Sequence, residues 1–141
     1  MEPSMKKAYF SVGYQSRQLL VAEIDAIREA LIKHQIHLFI FVDQYRFSPQ
    51  EQHQMMQQAF RDIADADLLI TEVSEKAIGV GIEIGYAAAL QKPVICLRNA
   101  GAEHSTTASG TATHSLTYTN AGAIAAVLEP ILAELAPLLV A

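Results

Sequence analysis

The sequence predicts a doubly wound α/β protein, a five-stranded parallel sheet with helices on both faces. Short β-branched and aromatic runs alternate with stretches whose apolar residues recur at helical spacing. The runs are almost continuously apolar, as strands covered on both sides must be. Each interval between runs leaves room for a helix, the connection that a parallel pair needs.

Lys7–Val12 (KAYFSV) is β-rich and stops at Gly13, which predicts a strand closed by a turn. Leu20, Ile24, Ile27 and Leu31 then recur among Glu23, Asp25, Arg28 and Glu29, the pattern of an amphipathic helix of about four turns. His37–Val42 (HLFIFV) is too short for a helix and reads as a second, buried strand. After the polar loop Asp43–Ser48, Pro49 at the first helical position and Glu51 three residues beyond Ser48 form a capping-box signature. Met56, Phe60 and Ile63 place one face of that helix on the core. Asp67–Val73 (DLLITEV) and Pro93–Leu97 (PVICL) are the third and fourth strands, with a small-residue helix, Gly81–Gln91, between them. Ser115–Thr119 is the fifth strand and Ala121–Leu135 the last helix, and the apolar tail Ile131–Ala141 covers the sheet or meets a second copy. With 141 residues, the chain is expected to be a single domain over 1–141. In the flavodoxin-like order of such Rossmann-like sheets, strands 1, 3 and 4 converge where the order reverses, and ligands bind beyond their carboxyl ends.

Composition narrows the function classes. Apolar residues are 51% and charged residues 18%, so the chain is globular rather than disordered. The net charge is −5 and the ten Lys and Arg form no run, so a grip on nucleic acid is not expected. Cys96 is the only cysteine, which excludes an internal disulfide and a Cys-based metal site. His34, His37, His53, His104 and His114 lack paired ligand spacing, so neither metal nor cofactor is expected. No apolar run approaching membrane-spanning length is read, and Lys6-Lys7 lead into no secretory signal. A cytoplasmic protein without membrane partners is the expectation.

The chemistry centres on Gly79-Val80-Gly81-Ile82-Glu83-Ile84-Gly85. Two glycines let a backbone turn tightly against a ligand, and the helix that follows would aim free N–H groups at an anion. The spacing is G-x-G-x-x-x-G after the third strand, so it is not the dinucleotide fingerprint. Glu83, placed in the first helical turn, is either an acid stabilised by the helix dipole or a carboxylate held ready as a nucleophile. The residues alone leave both readings open.

Three segments carry a resemblance. They are Ala66-Asp67-Leu68-Leu69-Ile70-Thr71-Glu72-Val73, the glycine segment continued through Tyr86-Ala87, and Lys92-Pro93-Val94-Ile95-Cys96-Leu97. Together they resemble the nucleoside 2-deoxyribosyltransferase superfamily, and within it most of all the 2'-deoxynucleoside 5'-phosphate N-hydrolases, over about Ala8 to Thr119. The resemblance implies that Glu83 attacks the anomeric carbon of a nucleoside or nucleotide and that Tyr9 orients it, by the retaining logic of covalent glycosidases. It implies a 5'-phosphate held by the first turn (Gly13, Ser16, Arg17), by Gly79 and Gly81, and by a serine from a neighbouring subunit that falls at Ser105. A base pocket follows the second strand, at Asp43 and Tyr45 with Arg46 beside them. A homodimer or larger homo-oligomer with a shared site is therefore expected.

Two positions depart from the family's pattern. Ala59 stands where the family has an aspartate that contacts the sugar or protonates the leaving base, and Ala77 stands where it has Asp or Ser. Asp62, one turn along the same helical face as Ala59, is the candidate acid/base in its place. Each lost polar contact costs about one to a few kcal/mol. The sequence therefore supports cleavage or transfer at an N-glycosidic bond first, and a catalytically weakened nucleotide-binding sensor second.

Overall fold

The computed structural model describes residues 5–139. Its five strands form one parallel sheet in the order β2-β1-β3-β4-β5. They are β1 (Lys6–Ser11), β2 (Ile36–Ile40), β3 (Leu68–Glu72), β4 (Val94–Asn99) and β5 (His114–Tyr118). β3 is buried at every position, and the edge strand β5 alternates, as the continuous apolar run of the one and the mixed run of the other require. The order reverses between β1 and β3, so the cleft rule puts a ligand beyond the carboxyl ends of those two strands.

The helices are α1 (Tyr14–Arg17), α2 (Val21–Ile32), α3 (Phe41–Gln44), α4 (Gln52–Asp65), α5 (Ile78–Ala89), α6 (Thr106–Thr111) and α7 (Ile124–Leu135). Two cores separate the faces. Ile24, Ile27 and Leu31 of α2 and Leu128 and Leu132 of α7 pack against Phe10, Ile70 and Leu97 on one side. Ala59 and Ile63 of α4 and Val80, Ile84 and Ala87 of α5 cover Tyr9, Leu69 and Cys96 on the other. Period two along β1 sends Phe10 to the first core and Tyr9 to the second. α2 and α5 each lead into a left-handed glutamine, Gln35 (φ 59°) and Gln91 (φ 60°), that redirects the chain toward the next strand.

Several expectations change. The second strand ends at Ile40 because Phe41–Gln44 winds into one helical turn, and the Ser/Thr-rich stretch 102–113 contains α6. On α4 the buried residues are Ala59 and Ile63, with Met55 packed beside them. Met56 and Phe60 are only half-buried, because the stripe at i and i+4 runs one residue away from them, and Phe60 instead stacks on Tyr86 at 4.4 Å. The expected capping box does form at the start of this helix, where the Ser48 N–H donates to the Glu51 carboxylate at 2.9 Å. By length and composition alone, Ala121–Leu139 is a 19-residue helical stretch apolar enough to cross a membrane, with a mean hydropathy of 1.7, which corrects the expectation that no such run exists. Glu129 and Glu134 interrupt the run without lowering its average enough to fail the test. Its residues Ile124, Leu128, Leu132, Leu135 and Leu139 form one stripe buried on the sheet. The rest of the apolar tail, 140–141, lies outside the described residues.

Candidate active site

β1 supplies two adjacent donors. Tyr9 and Ser11, two residues apart, project from the same face of the strand toward α5. The Tyr9 hydroxyl donates to Oε1 of Glu83 at 2.8 Å, and the Ser11 hydroxyl donates to the same oxygen at 3.0 Å. Among the described residues none donates to Oε2. Thr71, level with Ser11 in the β1–β3 register, donates its hydroxyl to the Ser11 carbonyl at 2.7 Å. Sequence reading found Tyr9 and missed Ser11, although the period of two from Tyr9 was the available signal.

Glu83 does not stand where the sequence suggested. Ala77, with extended backbone, is the N-cap, and the helix begins at Ile78. Gly79 and Gly81 are helical, neither has positive φ, and Gly81 N–H already donates to the Ala77 carbonyl at 3.2 Å. Each helical glycine costs about 1 kcal/mol, but burial of Val80, Ile84 and Ala87 on the sheet outweighs that cost. Glu83 is therefore the sixth helical residue, beyond the first turn where the dipole is strongest. Its charge is set by burial, which raises its pKa, against the hydrogen bonds from Tyr9 and Ser11, which lower it. Burial, then the charge and hydrogen bond of Glu83, then Asp62 and Tyr45, push the Tyr9 phenol well above its usual range. Tyr9 thus stays a donor.

An aromatic wall adjoins this pair. Tyr9 lies 6.1 Å from Phe39 and 6.0 Å from Phe41, and Phe41 lies 5.0 Å from Tyr45. The Tyr45 hydroxyl donates to Oδ2 of Asp62 at 2.9 Å, and the Gln58 amide donates to Oδ1 at 3.0 Å. Burial, followed by that bond to Asp62, raises the Tyr45 pKa. Asp62, Tyr45, Tyr9 and Glu83 thus form one contiguous group, and Gln58 is a member that the sequence did not single out.

The expected phosphate residues divide. A Cβ on Gly13 would stand 3.6 Å from the Ala77 Cβ, so the first turn abuts the start of α5, with Ser16 in the turn that follows. Arg17 is engaged in an ion pair. Its Nε and Nη2 grip the two carboxylate oxygens of Asp43 at 3.0 Å each, which draws one phosphate candidate and one base-pocket candidate into a single fork-like pair. A cleft of about 580 Å³ opens between α5 and α6, lined among others by Ala77, Ile78, Gly81, Ile84 and Ser105. This chain's own Ser105 therefore already stands beside the start of α5, where the sequence expected a neighbour's serine. Its hydroxyl caps α6 by accepting from the Ala108 N–H at 3.2 Å. Glu83 and Tyr9 are not in the cleft wall, because Glu83 points from the adjacent side of α5 toward β1. A Cβ at Gly79, Gly81 or Gly85 would meet nothing within 4 Å, so crowding does not require glycine at any of the three. Among the described residues no three His, Cys, Asp or Glu side chains converge as a metal cluster would.

The profile of the nucleoside 2-deoxyribosyltransferase family matches residues 9–127, and the chain belongs to that family. A provisionally named 2'-deoxynucleoside 5'-phosphate N-hydrolase of Syntrophotalea carbinolica is 54% identical over 41 residues, 29% of each chain. The 5-hydroxymethyl-dUMP N-hydrolase of Mus musculus is 48% identical over 40 residues, 26% of this chain and 23% of the relative. Both matches thus span less than a third of the relatives' length. A 2-deoxyribosyltransferase from Bacillus psychrosaccharolyticus superposes with a TM-score of 0.63 at 15% identity, over 84% of this chain and 90% of its own, which shows the shared α/β fold.

Proposed function

We propose that this protein cleaves the N-glycosidic bond of a deoxynucleoside or its 5'-monophosphate, with Glu83 as the nucleophile. The observation that carries the reading is the Glu83 carboxylate, held by Tyr9 and Ser11 through Oε1 with Oε2 free of donors among the described residues, in a chain of this family. Attack forms a bond from Oε2 to the anomeric carbon while the carbon–nitrogen bond breaks and the base leaves with the electron pair. Asp62, tied to Tyr45 and Gln58, is the proposed proton donor to that base, and the aromatic wall of Phe39, Phe41 and Tyr45 is its proposed stacking surface. Water, or the nitrogen of a second base, then attacks the same carbon and returns the electron pair to Glu83. Hydrolysis and transfer share every residue named.

The phosphate end of the proposed substrate lies at the start of α5, where the N–H groups of Ile78, Gly79 and Val80 precede the first intrahelical bond. Lys76 in that cleft is paired with Glu103 at 3.0 Å, so backbone groups rather than a side-chain cation carry the anion affinity in this reading. The proposed working form is a cytoplasmic homodimer or larger assembly of single-domain chains, with no part played by nucleic acid or membrane.

Incubation with a panel of deoxynucleosides, ribonucleosides and their 5'-monophosphates, followed by chromatography for free base, tests the proposal. Base release that disappears in Glu83→Ala supports it; no release from any member, or release that persists in the variant, rejects it. A weakened nucleotide-binding sensor is the second reading, favoured by Ala59 and Ala77 at two positions where the family pattern is polar. It predicts thermal stabilisation by a nucleotide without turnover.

A further inference from the structure

We infer that Ser11 is a positioning residue for Glu83, its hydroxyl fixing Oε1 together with Tyr9 so that Oε2 is the oxygen presented for bond formation. The inference rests on the reading of Glu83 as nucleophile. A carboxylate has about four acceptor sites spread over two oxygens, and nothing intrinsic places two donors on one of them. Here both donors come from one strand, two residues apart, so their separation is set by the pleat. Ser11 is itself held rigidly: it is 1% exposed, its strand lies between β2 and β3, and its carbonyl accepts from Thr71 at 2.7 Å. A donor on the sheet holds a geometry more tightly than one on a loop.

The same hydroxyl has an electrostatic consequence. The titratable group that faces Glu83 is Tyr9 from β1, and Tyr9 in turn feels Asp62 from α4 and Tyr45 from the loop after α3. No Lys, Arg or His among the described residues bonds to Glu83, so no cation offsets its burial. Only the Tyr9 and Ser11 hydroxyls favour the ionised form against that burial. They also favour the carboxylate as leaving group when the glycosyl ester breaks down. In that step the bond from the anomeric carbon to Oε2 breaks, its electron pair returns to the carboxylate, and the attacking water gives its proton to the Asp62 carboxylate left ionised when the base departed. Loss of the Ser11 hydroxyl therefore slows breakdown of the ester more than its formation.

The test is a carbon-13 NMR titration of the Glu83 side-chain carboxyl in the ligand-free protein, assigned with Glu83→Gln. Ser11→Ala is expected to raise the Glu83 pKa by about one unit, the size of one lost hydrogen bond to a charged group. Where active protein is in hand, the acid limb of the rate profile moves up with it and covalent adduct accumulates on mixing. Should Ser11→Ala fail to fold, Ser11→Cys, of similar shape but a weaker donor, gives a smaller shift in the same direction. An unmoved pKa in a folded variant overturns the inference, even where Glu83-dependent base release is seen. A raised pKa with no base release from any substrate keeps the positioning role and rejects the N-glycosidase reading.

Discussion

The hydroxyl of Tyr9 and the carboxylate of Glu83 are separated by 74 positions in sequence and by 2.8 Å in space. One lies in β1, between β2 and β3, the other on the second turn of α5, and the β1–β3–α5 crossover brings them together. Burial would favour a protonated Glu83, and the Tyr9 hydrogen bond opposes it. A phenol whose own ionisation is pushed well above its usual range serves this purpose well, because it keeps the proton that it donates.

Tyr9→Phe keeps the ring packing against Phe39 and Phe41 and removes only that donor. A hydrogen bond to a charged group contributes about 1.5–3 kcal/mol, so base release should fall roughly 10- to 100-fold and the melting temperature by several degrees. Steady-state rates beside a thermal melt check both halves.

Glu83→Gln should stabilise the protein, and more so at higher pH. The Glu83 pKa is raised in the folded state, so the preference of the fold for its protonated form is fully present below the unfolded value of about 4.3. That stability is lost as pH rises through the folded value. Wild type should therefore fall behind Glu83→Gln as pH rises from about 4.3 through the folded value. Calorimetry of both proteins across that range is the check, and a pH-independent gap contradicts it.

If Asp62 protonates the departing base, its loss should matter in proportion to how poorly the base leaves. Asp62→Asn should lower release of an ordinary base by about 10²- to 10⁴-fold, and far less for a substrate whose leaving group needs no proton. Tyr45→Phe, which removes the 2.9 Å bond to Asp62, should show the same selectivity more weakly. Equal losses on both substrates would assign these residues to packing.

An aspartate at position 59 should not raise the rate. Ala59 is fully buried between Tyr9, Phe41 and Ile84, so Ala59→Asp buries a carboxylate without a built partner. We expect a cost of several kcal/mol, read as a lower denaturation midpoint, with no gain in rate.

The strand and helix order was legible in the sequence because apolar runs such as Asp67–Val73 bury on both sides, and Leu20, Ile24, Ile27 and Leu31 keep one helical face. The start of α5 was not, because two glycines within three residues look like a turn when nothing shows that Val80 and Ile84 anchor them. Arg17 was read as a phosphate donor by type, and only the fold could show Asp43 lying against it. Ser11 was hidden by its modest chemistry; its meaning comes from the residue that it faces.

The central claim is a covalent bond to Glu83, and mass spectrometry of the trapped protein tests it most directly. A nucleoside or nucleotide carrying fluorine at the sugar 2-position destabilises the oxocarbenium-like transition state and slows both formation and breakdown of the ester. With such a substrate the expected result is a mass increase of one sugar unit, with or without its phosphate, on the peptide that contains Glu83. Turnover of the natural substrate with no adduct at that peptide, and undiminished in Glu83→Ala, would contradict it.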